Sequence, residues 1–355
     1  MSALLTYKAI GLMSGTSLDG LDIVYCSLNF NERWTFEIHR ARTISYDDAW
    51  KEKLRSAHTM SGAELTRLHT DLGILHGHWV KDFMDAQHVM VDFIASHGHT
   101  VFHQPENGMT LQIGSPAHIV AQTGVEVIAD FRSTDVALGG QGAPLVPVGD
   151  VHLFSDYAAC LNLGGIANVT VKNGSELSAF DITVCNMALN YYAERLGLMY
   201  DRNGDVARSG VVHAELLQAL NALSFFYQSP PKSLGKEFWL SECLPVLEGV
   251  SLSESDSLRT FTEHIAIQIG QSLSGYNPDE VLVTGGGAHN QFLIERIAAH
   301  TQHRVVVPDN LIVDYKEALI FAFLGALRKS GHPNALRAIT GASRDSLSGA
   351  VYSAR

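Results

Sequence analysis

Cysteine is scarce in this sequence: four in 355 residues, at Cys26, Cys160, Cys185 and Cys243, with no Cys-x-x-Cys pair. That argues against a disulfide framework or a zinc knuckle and predicts reduced thiols in a cytoplasmic protein. Long apolar runs are also missing. No stretch of about 18 apolar residues occurs, so no membrane span is expected, and the first residues lack the charged start and apolar stretch of a secretory leader. Basic residues are in deficit, 25 Lys and Arg against 37 Asp and Glu, for a net charge of −12. With no compensating basic cluster, neither nucleic acid nor an anionic membrane is expected as a partner. Two common nucleotide-binding fingerprints are absent as well. Gly-x-x-x-x-Gly-Lys-Ser/Thr does not occur, and no Gly-x-Gly-x-x-Gly opens a helix in a βαβ unit.

What is present is apolar material, 46% of the chain against 17% charged residues. That excludes disorder as the main state and, at roughly 150 residues per domain, predicts two domains. The first 45 residues read as three strands, over Lys8 to Met13, around Leu21, Ile23 and Tyr25, and around Trp34, Phe36 and Ile38. A capping box of Ser61 and Glu64 then opens a long helix with Leu65, Leu68, Leu72, Leu75, Trp79, Phe83 and Met84 at helical spacing. Near residue 158 the pattern restarts: an apolar strand to Leu163, a Gly164-Gly165 turn, and a returning strand from Ile166 to Val171. Strand, glycine-rich turn, strand thus occurs twice, about 150 residues apart, which reads as an internal duplication. Helices are expected at 186–196, 211–223 and 257–275, a strand over Val281 to Thr284, a helix from Asn290, and a buried final helix over Lys316 to Lys329. Strands alternating with helices predict an α/β fold, with two halves sharing a cleft.

Three glycine-rich polar turns, Ser14 to Gly20, Asn162 to Asn168 and Gly285 to Asn290, each follow an apolar strand. A single such turn could be only a tight connection. Three in equivalent places read as backbone N–H cradles for phosphate oxygens, the device an acidic protein needs. Asp19 and Asp22 lie in or just after the first turn, and Asp181 follows the apolar pair Ala179-Phe180. A carboxylate at such a strand end suits Mg²⁺ binding or general base work, against the plainer readings of a half-exposed strand residue for Asp22 and a helix N-terminal residue for Asp181. His97, His99 and His103 could suggest a metal cluster, but Gly98 and Thr100 make a substrate-contacting loop the better reading. His69, His76 and His78 along the long helix read as surface or core residues. Arg132 offers a fork for a carboxylate or phosphate, or a surface ion pair.

The run from Gly11 to Asp22, Gly-Leu-Met-Ser-Gly-Thr-Ser-Leu-Asp-Gly-Leu-Asp, resembles the signature of the anhydro-N-acetylmuramic acid kinase family. The resemblance extends through Ser96-His97-Gly98-His99-Thr100, Asp130 to Pro147, Asn162 to Asn168, Tyr200 to Gly210, Pro230 to Glu237, Thr284 to Asn290, Glu317-Ala318 and Thr340-Gly341-Ala342. It implies two related actin-like, ribonuclease H-like α/β domains around a central ATP cleft, with 1–130 plus 335–355 as one half and 131–334 as the other. It also implies a reaction. ATP and water act on 1,6-anhydro-N-acetylmuramic acid, the anhydro ring opens, and the 6-oxygen is phosphorylated, giving N-acetylmuramic acid 6-phosphate and ADP in cell-wall recycling. Mg²⁺ and a homodimer are further expectations; no metal ligands are assigned.

Carried over by position, Gly15, Thr16, Ser17, Leu18, Asp19, Gly20, Leu21 and Asp22 would form the first phosphate segment. Asn162, Gly164, Gly165 and Asn168 would form the second, and Gly285, Gly286, Gly287 and Asn290 would sit by the adenosine. Asp181 matches the catalytic aspartate, and His97, Arg132 and Glu317 match positions expected near the sugar. The sequence departs from the family pattern in two places. Asp-Thr-Gly-Pro-Gly-Asn becomes Asp181-Ile182-Thr183-Val184-Cys185-Asn186, putting side chains where bare backbone is usual, and His99 stands where the family usually has Gln. Two competing functions are a nucleotide-switch ATPase of the same superfamily and a metal-dependent hydrolase built on His97, His99 and His103.

Overall fold

The computed structural model describes residues 5–15, 17–174, 176–276 and 279–353. They divide into two compact units, Met1–Leu153 with Tyr315–Arg355, and Phe154–Asp314. In chain order the strands are β1 (Leu5–Ser14), β2 (Gly20–Asn31), β3 (Arg33–Ser45), β4 (Phe93–Ser96), β5 (His99–Gln104), β6 (Met109–Ile113), β7 (Val127–Ala129), β8 (Ala159–Leu163), β9 (Ile166–Asn173), β10 (Glu176–Val184), β11 (Glu280–Thr284), β12 (Arg304–Val306) and β13 (Ala350–Tyr352).

The first unit is built on a six-stranded sheet in the order β3-β2-β1-β4-β7-β13. Strands β1, β2 and β3 are antiparallel neighbours, β1, β4 and β7 run parallel, and β13 closes the edge antiparallel to β7. The second unit has a five-stranded sheet, β10-β9-β8-β11-β12. Again the first three strands form an antiparallel meander, and the next two lie parallel to β8. Setting β13 aside, strand order and sense are the same in both sheets. The duplication read from the sequence is therefore real, and the fold is α/β with two related actin-like halves.

The elements follow from their residues. Strands β1, β4 and β8 carry Ile10, Leu12, Ile94, Leu161 and Leu163, all fully buried, as expected for strands covered on both faces. Helix α1 (Gly62–Gln87) starts at the expected capping box, where the Ser61 hydroxyl accepts from the Glu64 N–H and the Glu64 carboxylate reaches back to the Ser61 N–H. Its Leu68, Leu72, His76, Val80 and Phe83 face inward. Among the later helices are α2 (Pro116–Thr123), α3 (Val146–His152), α4 (Asn186–Arg195), α5 (Glu254–Ser274), α6 (Gln291–His300) and α7 (Asn310–Ser330). Helix α7 begins six residues before the expected Lys316, with the Asp309 carboxylate accepting from the Ile312 N–H at 3.0 Å.

Residues 131–153 and 315–334, expected in the second half, group with the first unit. Buried contacts fasten them there: Phe321 packs on His97, Phe323 packs on Trp34, and Asp135 accepts from the Thr340 hydroxyl at 2.8 Å. The segment after Gly98, read from sequence as a loop, is strand β5. Gly98 makes the turn at φ 74°, and His99 then pairs with Ile113 of β6. All four cysteines are free and buried, and burial pushes the thiols of Cys26, Cys185 and Cys243 up to about 12. Among the described residues no helix is long and apolar enough to cross a membrane.

Candidate active site

In the first unit the β1–β2 turn begins at Ser14. The Leu18 N–H donates to the Gly15 carbonyl at 3.3 Å, and Leu18 takes a left-handed φ of 62°. Ser17 and Asp19 are exposed, while Gly20 and Leu21 are buried as β2 begins. Thr16 lies outside the described residues. Asp22 is half-buried, with its Oδ1 accepting from the Thr43 hydroxyl at 2.6 Å.

Arg132 and His97 form the second element of this unit. The guanidinium donates from Nε (3.1 Å) and Nη2 (3.0 Å) to His97 Nε2, and from Nη1 to the Gly142 carbonyl at 2.7 Å. His97 Nδ1 donates to the Gly98 carbonyl at 2.9 Å. Burial first, and Arg132 beside it second, hold His97 well below the ordinary imidazole range, so it is neutral and accepts. Burial also lowers Arg132 to about 10, with Glu317 opposing. Burial raises the Glu317 carboxyl, Arg132 pulls it down, and Asp22 raises it again. Arg132 is thus anchored inside its unit, and the surface ion-pair reading does not apply.

The three histidines do not converge. His97 is engaged by Arg132, His99 is buried beside Ser14, and His103 is exposed and bonded to the Thr110 hydroxyl at 3.1 Å. Among the described residues no group of three His, Cys, Asp or Glu side chains is arranged for a metal ion. The hydrolase alternative loses its basis.

Sequence reasoning missed a buried polar chain in the same unit. The Ser14 hydroxyl lies 3.4 Å from His99 Nδ1 and 2.9 Å from the Tyr46 hydroxyl, which in turn lies 2.7 Å from His76 Nε2. All four side chains are at most 3% exposed. Burial lowers His76 to about 3 and His99 to about 4. His76 shares a face of α1 with buried Leu72 and Val80, a signal for burial but not for a partner 30 residues away.

In the second unit, four polar residues lie side by side across the sheet. Thr284 on β11 pairs with Asn162 on β8, Asn162 with Asn168 on β9, and Asn168 with Asp181 on β10. Paired residues project to the same sheet face, so Asp181 belongs to a row begun by the asparagines of the glycine turn. A bulge follows directly, between Asp181 and Thr183. Asp181 is half-buried. Its Oδ2 accepts from the Leu234 N–H at 2.7 Å, and its own N–H donates to the Lys232 carbonyl at 3.0 Å. Burial raises its pKa, and the Leu234 N–H offsets part of the rise. No other hydrogen bond reaches the carboxylate among the described residues, so Oδ1 is uncommitted.

The departure after Asp181 does not make an irregular loop. Ile182, Thr183 and Val184 complete β10 and are at most 1% exposed, and Cys185 is fully buried. Thr183 lies 3.1 Å from His264 Nε2, and His264 Nδ1 donates to the Asn221 side-chain carbonyl at 2.7 Å. The β-branched residues extend the strand where glycines would loosen it. Helix α4 then starts against the second glycine turn: the Cys185 and Asn186 N–H groups donate to the Gly165 and Gly164 carbonyls at 2.8 and 3.1 Å. Asn186 Nδ2 also donates to the Leu163 carbonyl at 2.9 Å.

The third glycine turn abuts the second. Gly285 has φ 84°, and a Cβ there would collide with Asn162 Oδ1 and the Leu163 backbone; one on Gly287 would collide with Leu163. Asn290 accepts from the Leu293 N–H at 2.9 Å and caps α6. The two turns are packed so that only bare backbone fits between them. The structure therefore brings Asn162, Gly164, Gly165, Asn168, Asp181 and Gly285–Gly287 together in one unit, and Asp22, His97, Arg132 and Glu317 in the other.

Comparison with known proteins bears on this arrangement. Residues 7–354 match the family model described as anhydro-N-acetylmuramic acid kinase. Curated relatives of that name include one from a Sulfurovum species, 35% identical over 97% of this chain and 99% of its own length. Another, from Hydrogenovibrio crunogenus, is 36% identical over 97% of both chains. Among solved structures, the (R)-2-hydroxyglutaryl-CoA dehydratase component A of Acidaminococcus fermentans covers 92% of this chain and 99% of its own, at 12% identity and a TM-score of 0.46.

Proposed function

The chain belongs to the anhydro-N-acetylmuramic acid kinase family, and from that premise we propose that it uses ATP and water to open 1,6-anhydro-N-acetylmuramic acid and phosphorylate the 6-oxygen, yielding N-acetylmuramic acid 6-phosphate and ADP in cell-wall recycling. The observation that carries the reading is the state of Asp181. One carboxylate oxygen is tied to the Leu234 N–H at 2.7 Å, the other is uncommitted, and burial raises the basicity of both. Such a carboxylate is held in orientation and strengthened as a proton acceptor. Asp181 takes a proton from the water that attacks the anomeric carbon. The C–O bond to the 6-oxygen breaks, and that oxygen receives the phosphoryl group.

The glycine turns fit a nucleotide. At Gly285 and Gly287 any side chain would fill the space against Asn162 and Leu163, leaving backbone as the surface a phosphate or adenosine would meet. Asn162, Gly164, Gly165, Asn168, Gly285, Gly286, Gly287 and Asn290 are the second unit's proposed nucleotide residues. Gly15 to Asp22, with Thr16 included, is the first unit's phosphate segment. Mg²⁺ would travel with the nucleotide and neutralise the transferring group, ligated mainly by phosphate oxygens and water. His97, Arg132 and Glu317 are the proposed sugar contacts, with Arg132 fixed by His97 and Gly142 so that its charge is presented in one orientation. The free, buried thiols support a cytoplasmic setting.

The test is incubation with ATP, Mg²⁺ and 1,6-anhydro-N-acetylmuramic acid, reading the product by mass. A phosphorylated, ring-opened sugar formed one-for-one with ADP is expected. ADP release without sugar phosphate would instead support the nucleotide-switch alternative.

A further inference from the structure

The buried chain His76–Tyr46–Ser14–His99 has one feature that fixes its direction. His76 Nδ1 is buried and has no partner among the described residues. A neutral imidazole carries one N–H and one bare nitrogen. Burying a donor with no acceptor costs more than leaving a lone pair unused, and orphaned buried N–H groups are rare in folded proteins. His76 therefore keeps its proton on Nε2, which donates to the Tyr46 oxygen at 2.7 Å. Tyr46, its oxygen occupied, donates to Ser14 Oγ at 2.9 Å, and Ser14 donates across 3.4 Å to His99 Nδ1. With Nδ1 accepting, the His99 proton sits on Nε2. Among the described residues no hydrogen bond occupies that nitrogen, nor is it one of the fully buried orphans.

We propose that the chain His76–Tyr46–Ser14 fixes His99 as the tautomer protonated on Nε2, making His99 a hydrogen-bond donor to an acceptor oxygen of the sugar. The inference deepens the kinase reading and rests on it for the identity of the ligand. A neutral donor suits a hydroxyl, carbonyl or ring oxygen better than a phosphate, for which this unit has Arg132 and backbone N–H groups. The proposal also explains the departure from the family pattern at this position. A Gln amide always presents an N–H, whereas a His does so on the outer nitrogen only when its inner nitrogen is made to accept. Tyr46, His76 and Ser14 are positioning residues, and His99 is the residue that touches substrate.

Two experiments test this. Long-range ¹H–¹⁵N spectra of histidine-labelled wild-type protein read the tautomer directly. His99 protonated on Nε2 is expected, and protonation on Nδ1 overturns the proposal whatever the enzyme's activity. The second is a double-mutant cycle on the sugar kinetics. Tyr46→Phe removes the link and is expected to raise KM for the sugar about fivefold, with KM for ATP within about twofold of wild type. In a His99→Gln background, whose donor needs no tautomer control, the same Tyr46→Phe change should move KM for the sugar by less than about twofold. An equal penalty in both backgrounds, or one that falls on ATP, overturns the proposal. Absence of any sugar phosphorylation by the wild type would sink the kinase reading instead, and the tautomer measurement would still decide the chain's direction.

Discussion

The Asp181 carboxylate is held by the main chain of Leu234: Oδ2 accepts that N–H at 2.7 Å. Among the described residues no side chain hydrogen-bonds to it, and the Lys232 ammonium is engaged elsewhere, 4.5 Å from the centre of the Phe225 ring. The base is thus fixed by the main chain, and among the described residues no cation lowers its pKa.

Asp181→Asn keeps an oxygen for the Leu234 N–H but removes the proton acceptor. We expect kcat for sugar phosphorylation to fall by roughly a thousandfold, with the melting temperature moving less than about 3 °C. Full activity in the variant would remove Asp181 from the chemistry. Because burial raises its pKa, the acid limb of kcat/KM should lie above the free aspartate value of about 3.9 and be lost from the residual activity of the variant.

Arg132→Lys replaces a fork with a point charge. Lysine cannot donate together to His97 Nε2 and the Gly142 carbonyl as Arg132 does. KM for the sugar should rise about tenfold or more, with a smaller change in KM for ATP. Steady-state kinetics with each substrate varied separately check this, and a loss confined to ATP would contradict the assignment.

Gly285→Ala meets both a left-handed φ of 84° and the wall formed by Asn162 and Leu163. We expect a stability loss of about 1–3 kcal/mol by denaturant titration and weaker nucleotide binding by calorimetry. Unchanged nucleotide affinity would separate this turn from the nucleotide.

Stability should decline in mild acid. Burial lowers His76 and His264 to about 3 and His99 to about 4, whereas in the unfolded chain each titrates near 6.5. A lowered folded pKa means the unfolded state takes up protons first as pH falls. Their contribution is complete above about pH 6.5 and is lost progressively from there toward pH 3. Asp181 and Glu317, raised by burial, act with the opposite sign: their contribution is present at low pH and fades as pH rises through their folded values. The histidines outnumber them, so the denaturation midpoint should be lower at pH 5 than at pH 7.5. A midpoint that does not fall would contradict this balance.

Much of the frame was legible because it is local. Alternating apolar residues gave the meanders, the capping box gave the start of α1, and the repeated strand–turn–strand gave the duplication. Asp181 was legible as a carboxylate following an apolar pair, but not at a strand end as read: it lies inside β10, which runs on to Val184. What stayed hidden joins residues far apart in sequence. Leu234 reaches Asp181 across 53 positions and His76 reaches Tyr46 across 30, and no periodicity encodes either contact. The His97–His99–His103 spacing is ambiguous for a related reason. It is the same whether the rings converge on a metal or part to serve Arg132, Ser14 and Thr110, and only the pairing of β5 with β6 decides between them. The Ile182–Cys185 departure read only as side chains where bare backbone is usual, because the sequence does not say what those side chains do. The β-branching and burial of Ile182, Thr183 and Val184 extend a strand.

The row Asn162–Asn168–Asp181 has a consequence for how this gene can change length. The three residues stand on neighbouring strands about 4.8 Å apart, and their spacing is set by register. Between 173 and 176, where β9 hands over to β10, residues can be gained or lost with the row intact. A single codon inserted within Val169–Lys172 must either bulge out or turn Asn168 to the opposite face of the sheet. Insertions among functional members of this lineage should therefore collect at that hairpin tip and avoid the strand beside it.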